Sequence, residues 1–188
     1  MRCPRTIALI CQLLIFLIAV FMMSCAKKND AVTNPTNGSN VFINSSFEIN
    51  GHPSLQGWMT SDTALVKFST DVPSGGGFYS IALDAVWAPP LFVKSIVGGL
   101  QGTHLYKFSV WSKSEGAGGW AELILQRPDS NILRKQIHII DTSWTLYAVL
   151  DTMNCAPHDS IVVKLAGGFS QLLAGKTYYD LCKLEKLD

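Results

Sequence analysis

From Val41 to the C-terminus, short stretches rich in Val, Ile, Leu, Phe, Tyr and Trp alternate with clusters of Gly, Pro, Asn, Asp and Ser. No segment of this region carries the i, i+3, i+4, i+7 spacing of an amphipathic helix. The pattern predicts strands at 41–44, 64–70, 78–84, 92–97, 105–113, 120–127, 132–140, 145–150, 160–166 and 177–184. Short strands at regular spacing, broken by turn residues, indicate an all-β sandwich of two antiparallel sheets.

Side-chain parity along three consecutive strands adds detail. In 106–113, Tyr106, Phe108 and Val110 share one face, and Trp111 points the other way with Lys107, Ser109 and Lys113. In the next strand Ala121, Leu123 and Leu125 face the core, while Trp120, Glu122, Ile124 and Gln126 face away. In the third, Leu133, Ile137 and Ile139 face in, with Lys135 an exception, and Arg134, Gln136 and His138 face out. The loops 114–119 and 128–131 are short, so the three strands are expected to be adjacent antiparallel neighbours. That register puts Trp111 opposite Glu122 and diagonal to Trp120, with His138 near Glu122 and Arg134 near Gln126. One outward face would then hold both indoles beside Glu122, Gln126, Arg134 and Gln136. A merely solvated face seldom carries two Trp; the alternative is that loops cover them as a second small core.

The N-terminal pattern is different. Arg2 and Arg5 precede an apolar run at 7–23, interrupted mainly by Gln12. A basic start, an apolar stretch and a small residue before a cut describe a secretory signal. The run is about as long as the shortest membrane span, so an uncleaved anchor is the alternative. Met22-Met23-Ser24-Cys25 resembles a bacterial lipobox, with Met where Leu is usual. The resemblance implies that 1–24 is a lipoprotein signal peptide and that Cys25 becomes an acylated N-terminus. Lys27-Lys28-Asn29-Asp30 resembles the start of lipoproteins from Bacteroidetes-type bacteria. It implies a cell-envelope location, on the outer membrane of a Gram-negative cell, with the membrane reached through a lipid anchor. Two or three acyl chains hold far better than one, each buried CH₂ contributing about 0.8 kcal/mol. Residues 25–40 then read as lipidated Cys and flexible tether, since Asn29 to Asn40 is polar and carries Pro35 and Gly38. The folded domain is expected over 41–188.

Length and composition fit one domain plus a tail or leader. The chain has 188 residues, 48% of them hydrophobic and 15% charged, with a net charge of +1. Loss of the leader removes Arg2 and Arg5 and turns that charge to −1. Near-neutrality argues against nucleic acid as a partner. Maturation would leave Cys155 and Cys182 besides the acylated Cys25. A disulfide between them suits an exported protein; the alternative is two packed thiols.

Catalytic patterns are missing. A glycosidase needs two carboxylates across a cleft, and Glu122 is the only acid on the expected face. His52, His104, His138 and His158 are scattered, without HExxH spacing. There is no G-x-S-x-G, no P-loop and no GxGxxG at a strand-to-helix turn. Glu122 with His138 could mimic an acid–base pair, but a cross-strand ion pair is the commoner meaning. A non-catalytic protein is expected.

Several landmarks in order resemble the galactose-binding-like jelly rolls, and among them carbohydrate-binding module families four and nine. They are Asn44-Ser45-Ser46-Phe47-Glu48 followed by Gln56-Gly57-Trp58, Gly76 to Ile81, Tyr106 to Lys113, Ser143-Trp144, and Tyr178-Tyr179-Asp180-Leu181-Cys182-Lys183-Leu184. The resemblance implies a structural calcium joining the first and last strands, with Glu48 and Asp180 at the matching positions and Leu181 in place of a second Asp. A hard cation needs about 6–8 oxygens, so backbone carbonyls would supply most; the alternative is that both acids cap turns or pair with Lys. It further implies that Trp58 and Trp144 pack inside and that a glycan or polysaccharide binds on a sheet or at a loop end. Sugars present apolar C–H faces ringed by hydroxyls, so flat aromatics flanked by planar polar groups suit them. Trp111 and Trp120, with Glu122, Gln126, Arg134 and Gln136, match that need. Trp87, in a Pro-rich loop, reads as a loop anchor or a rim contact, and Tyr79 as core. The rival reading is a structural or protein-interaction subunit of a cell-envelope complex, because exposed aromatics also mark protein interfaces.

Overall fold

The computed structural model describes residues 40–86, 89–98, 101–168 and 175–188. The expected signal peptide, Cys25, the expected tether before Asn40, and Trp87 lie outside the described residues. Every regular element within them is a strand: β1 (Glu48–Ile49), β2 (His52–Pro53), β3 (Met59–Thr60), β4 (Lys67–Ser69), β5 (Ser80–Asp84), β6 (Phe92–Gly98), β7 (Gly102–Glu115), β8 (Gly119–Arg127), β9 (Ser130–Ile139), β10 (Thr145–Cys155), β11 (Ser160–Gly167) and β12 (Lys176–Lys186). They form two five-stranded antiparallel sheets. The first has the order β10-β7-β12-β5-β4 and the second β3-β6-β11-β8-β9, with β1-β2 a small separate hairpin. The β-sandwich of two antiparallel sheets expected from strand spacing is the fold, in the jelly-roll form that the family resemblance implied.

The core lies where the inner faces meet. Tyr106, Phe108 and Val110 of β7, Tyr179 and Leu184 of β12, and Ile81 and Leu83 of β5 come from the first sheet. Ala121, Leu123 and Leu125 of β8, Ile161, Val163 and Leu165 of β11, and Val93 and Val97 of β6 come from the second. These inward-facing positions are apolar in both sheets, so each sheet has one face to bury, and stacking the two buries both. Trp58 fills the end of this core as expected. It stacks with Phe42 and Phe47 at centroid distances of 5.2 and 4.9 Å and donates Nε1–H to the Asn44 carbonyl at 2.7 Å.

Strand adjacency departs from expectation. β7 pairs with β10 and β12, whereas β8 pairs with β11 and β9. The loop between β7 and β8 is therefore an arch from one sheet to the other, not a hairpin. Gly116 (φ 104°) and Gly118 (φ 78°) supply the left-handed backbone such an arch requires. The apolar faces of β7 and β8 thus oppose each other across the core instead of lying side by side. The β8–β9 hairpin is as expected, but a bulge falls between Leu123 and Ile124. It reverses parity in the start of β9: Ile132 packs against the core, while Leu133, expected inside, is 52% exposed.

Strand extents also shift. Residues 41–44 form no strand, yet Asn40 already belongs to the body. It bridges Glu185, donates to the Cys182 carbonyl at 3.0 Å and accepts from the Leu184 amide at 3.1 Å. Both cysteines are buried free thiols. Cys155 is level with Gly102 at one end of β7, whereas Cys182 lies in the β12 bulge level with Ser109 to Trp111. At roughly 3.4 Å per residue that separates them by well over 20 Å, far beyond disulfide reach. The second of the two alternatives, packed thiols, is the one adopted.

Candidate functional site

The outer face of the second sheet is built in cross-strand rows. One row runs His138 (β9), Trp120 (β8), Ala166 (β11), Phe92 (β6). Ala166 is fully buried although its side chain belongs to the outward set, lying between the Trp120 and Phe92 positions. Adjacent strands are about 4.8 Å apart, so the two aromatics stand roughly 10 Å from each other. The next row runs Gln136, Glu122, Lys164, Lys94. Below it lie Ile124, Val162 and Ile96, then Gln126 and Ser160.

Glu122 is held from both sides. Gln136 donates Nε2–H to Oε1 and Lys164 Nζ donates to Oε2, each at 3.0 Å. Lys164 Nζ also sits 5.2 Å from the centroid of the Phe92 ring, a cation–π contact. Both Glu122 oxygens are thus engaged, and its side chain is only 12% exposed. The arrangement presents aromatic platforms beside amides and fixed charges. Among the described residues Glu122 has no second acid facing it on the outer rows of β6, β11, β8 and β9.

Of the residues singled out from sequence, Trp120, Glu122, Gln126 and Gln136 share this face. Trp111 does not. It projects from the opposite sheet, level with Leu146 of β10 and Asp180 of β12. The two indoles therefore stand on opposite outer faces, because β7 and β8 joined different sheets. Both are half-buried, and neither is sealed in the core. His138 lies opposite Trp120, one row along from Glu122. Arg134 leaves the face as well, since the bulge deprives it of a cross-strand partner. Its guanidinium reaches over the sandwich edge to Asp151 of β10, with Nε–Oδ2 2.7 Å and Nη2–Oδ1 3.3 Å, and to the Thr152 carbonyl at 3.2 Å. Phe92, Lys94 and Lys164 went unnoticed in the sequence. Their signal was local, a period-2 alternation in Phe92-Val-Lys-Ser-Ile and a lone Lys in Val-Val-Lys-Leu, but their adjacency to β8 was not.

The outer face of the first sheet holds a different cluster. Trp144, expected inside, is on this surface and donates Nε1–H to Asp71 Oδ1 at 2.9 Å. Lys113 Nζ caps both the Trp144 and Tyr178 rings, 5.9 and 4.8 Å from their centroids, and pairs with Asp71. The hydrogen bond from Lys113 holds the Asp71 carboxyl below the usual range. Tyr178 donates to Glu115 at 3.1 Å. Nearby, Tyr79 is half-buried instead of core and lines a shallow groove with the exposed Phe78.

Glu48 and Asp180 do converge. Glu48 Oε2 accepts from the Phe78 and Tyr79 amides at 2.6 and 3.0 Å. Asp180 is fully buried; Oδ1 accepts from the Leu181 amide at 2.7 Å, and Oδ2 has no partner among the described residues. Burial, with the Glu48 charge adding to it, pushes the Asp180 carboxyl up to about 7. The loop above leaves no spare room: a Cβ on Gly76 would lie 2.7 Å from Asp180 Oδ2, and one on Gly77 1.8 Å from Glu48 Oε1. Phe47 (φ 56°) and Leu181 (φ 47°) flank the two acids in left-handed backbone, an uncommon conformation for such side chains. A buried orphan carboxylate oxygen beside a second carboxylate suits a hard cation. No cluster of three His, Cys, Asp or Glu exists among the described residues, so further ligands would be carbonyls or water.

No family model matches the chain, and no curated protein matches it by sequence. Solved structures do share its fold. The structure of TmCBM61 in complex with β-1,4-galactotriose superposes with a TM-score of 0.55 at 18% identity, over 79% of this chain and 99% of that one. The CBM22-1 xylan-binding domain of Paenibacillus barcinonensis Xyn10C gives 0.56 at 11% identity, over 82% and 99%. The enzymatically active domain of bacteriophage CBA120 tailspike protein 4 gives 0.54 at 14% identity, but this chain spans only 22% of it. The fold is thus that of carbohydrate-binding-module jelly rolls.

Proposed function

We propose that this protein is a non-catalytic module that binds a glycan or polysaccharide across the outer face of the second sheet. The observation that carries the reading is the row in which Trp120 and Phe92 flank the buried Ala166, with Glu122, Gln136 and Lys164 fixed one row below. Two aromatic surfaces would take the apolar faces of sugar rings, and the amide and charged groups their hydroxyls. Gln126 extends the polar edge. The fold shared with galactotriose- and xylan-binding modules supports the same reading. The test is a polysaccharide panel assayed with the wild type, Trp120→Ala and Phe92→Ala. Binding by the wild type and its marked weakening in both variants is expected. A folded protein that binds none of the panel overturns the proposal.

The module is held at the cell envelope by acylated Cys25, after removal of 1–24, in a Gram-negative bacterium. Palmitate labelling of the wild type and none of Cys25→Ser is the expected result. Glu48 and Asp180 hold a structural calcium, whose role is to neutralise two close carboxylates and tie β1 to β12. A second reading rests on one observation. On the first sheet Trp111 lies level with Leu146, 51% exposed, while Leu150, also on β10, is 54% exposed. Such a patch suits a protein partner in the envelope, so Trp111 belongs to that reading and not to the sugar site.

A further inference from the structure

We infer that the site selects anionic glycans, those bearing a uronate carboxylate or a sulfate ester, with Lys94 as the recognition residue. The inference rests on the glycan-binding reading and names the ligand class of that same face.

The argument begins with charge on the outer rows of β6, β11, β8 and β9. Those rows carry Lys94, Lys164 and Glu122 as permanent charges. Lys164 and Glu122 neutralise each other at 3.0 Å. Lys94 stands directly opposite Lys164 across β6 and β11. Like charges directly opposite in a sheet are destabilising. Among the described residues no carboxylate lies within ion-pairing distance of Lys94, and it is half-buried. The face thus keeps one uncompensated cation in the row next to its aromatics.

Position adds to charge. Lys94 is two residues along β6 from Phe92, so a row step of roughly 7 Å separates their Cα atoms. A sugar ring lying on Phe92 would carry its exocyclic substituent within reach of the flexible Lys94 side chain. A hydroxymethyl group there would make one ordinary hydrogen bond. A carboxylate or sulfate would make a charge-assisted one in a site partly shielded from water, which is stronger. Lys164 could not serve equally, because its charge is already committed to Glu122. The occupant that complements this arrangement is an acidic polysaccharide chain.

The test pairs each acidic polymer with its neutralised form. The probes are polygalacturonate with its methyl ester, glucuronoxylan with its carboxyl-reduced form, and a sulfated galactan with its desulfated form. Affinities are measured at low salt for the wild type, Lys94→Gln and Trp120→Ala, with melting curves as a check on folding. At least one acidic polymer should bind the wild type about tenfold tighter than its neutral partner. Lys94→Gln should abolish that ratio by weakening the acidic form far more than the neutral one, and Trp120→Ala should weaken both. Added salt should erode only the difference. Which pair shows the ratio assigns carboxylate or sulfate. Equal binding of acidic and neutral forms, or a ratio that survives Lys94→Gln, overturns the inference and leaves the glycan reading standing. No binding to any polymer overturns both.

Discussion

The hydroxyl of Tyr179, on the inner face of β12, donates to the carbonyl of Ala166 on β11 at 2.8 Å, with the Trp120 carbonyl 3.1 Å away. A buried hydrogen bond from the first sheet therefore anchors the backbone beneath the aromatic row of the second. Burial holds the Tyr179 phenol well above its ordinary pKa, so it remains a donor across the physiological range.

Tyr179→Phe removes that donor and leaves the Ala166 carbonyl poorer in partners. The expected cost is about 1–2 kcal/mol of stability, read as a shift in denaturant midpoint at constant slope. Glycan affinity should fall too, since Ala166 lies between the two aromatics. An unchanged midpoint would show the contact to be incidental.

The topology separates the two indoles, and binding should follow. Trp120→Ala is expected to weaken glycan binding about tenfold, by analogy with stacking on nucleobases. Trp111→Ala should leave it unchanged. Equal losses from both would contradict the assignment of the site to one sheet.

Asp180 yields a pH prediction. Its folded pKa, raised to about 7, exceeds the unfolded value, so the folded state holds the proton more tightly. Stability contributed by the protonated form is complete below the unfolded pKa of about 3.9 and is lost as pH rises through 7. In a chelator the melting temperature should therefore climb as pH falls from 8 to 5. Calcium should restore it at pH 8, because a ligand of the native state alone stabilises by mass action. Asp180→Asn should flatten the chelated profile. A melting temperature indifferent to both chelator and pH would remove the cation.

Arg134 bridges the edges of the two sheets and does not face the sugar site. Arg134→Gln should cost at most about 1 kcal/mol of stability, the range of partly exposed ion pairs, and leave glycan affinity intact. Isothermal titration beside a denaturant melt separates the two effects.

Much of this was legible along the chain. Alternation identified which residues of β7 and β8 turn inward, and Tyr106, Phe108, Val110, Ala121, Leu123 and Leu125 are all buried. It did so because the side-chain period of two is a local property of extended backbone. The β8–β9 hairpin was readable for the same reason, its partners being a few residues apart. The bulge that moved Leu133 outward and Arg134 to the edge was not, because one inserted residue leaves no mark in composition.

Local patterning along the chain was enough for the longer strands, the inward face of most of them, and the all-β class. Long-range pairing chose the sheet that each strand joined, and with it that Trp120 shares a face with Phe92 and Lys164 while Trp111 looks the other way. Strand pairing between β6, β11 and β8 joins segments tens of residues apart. Its driving force is the shared burial of two sheet faces, a quantity defined over the whole sandwich and carried by no single stretch of chain.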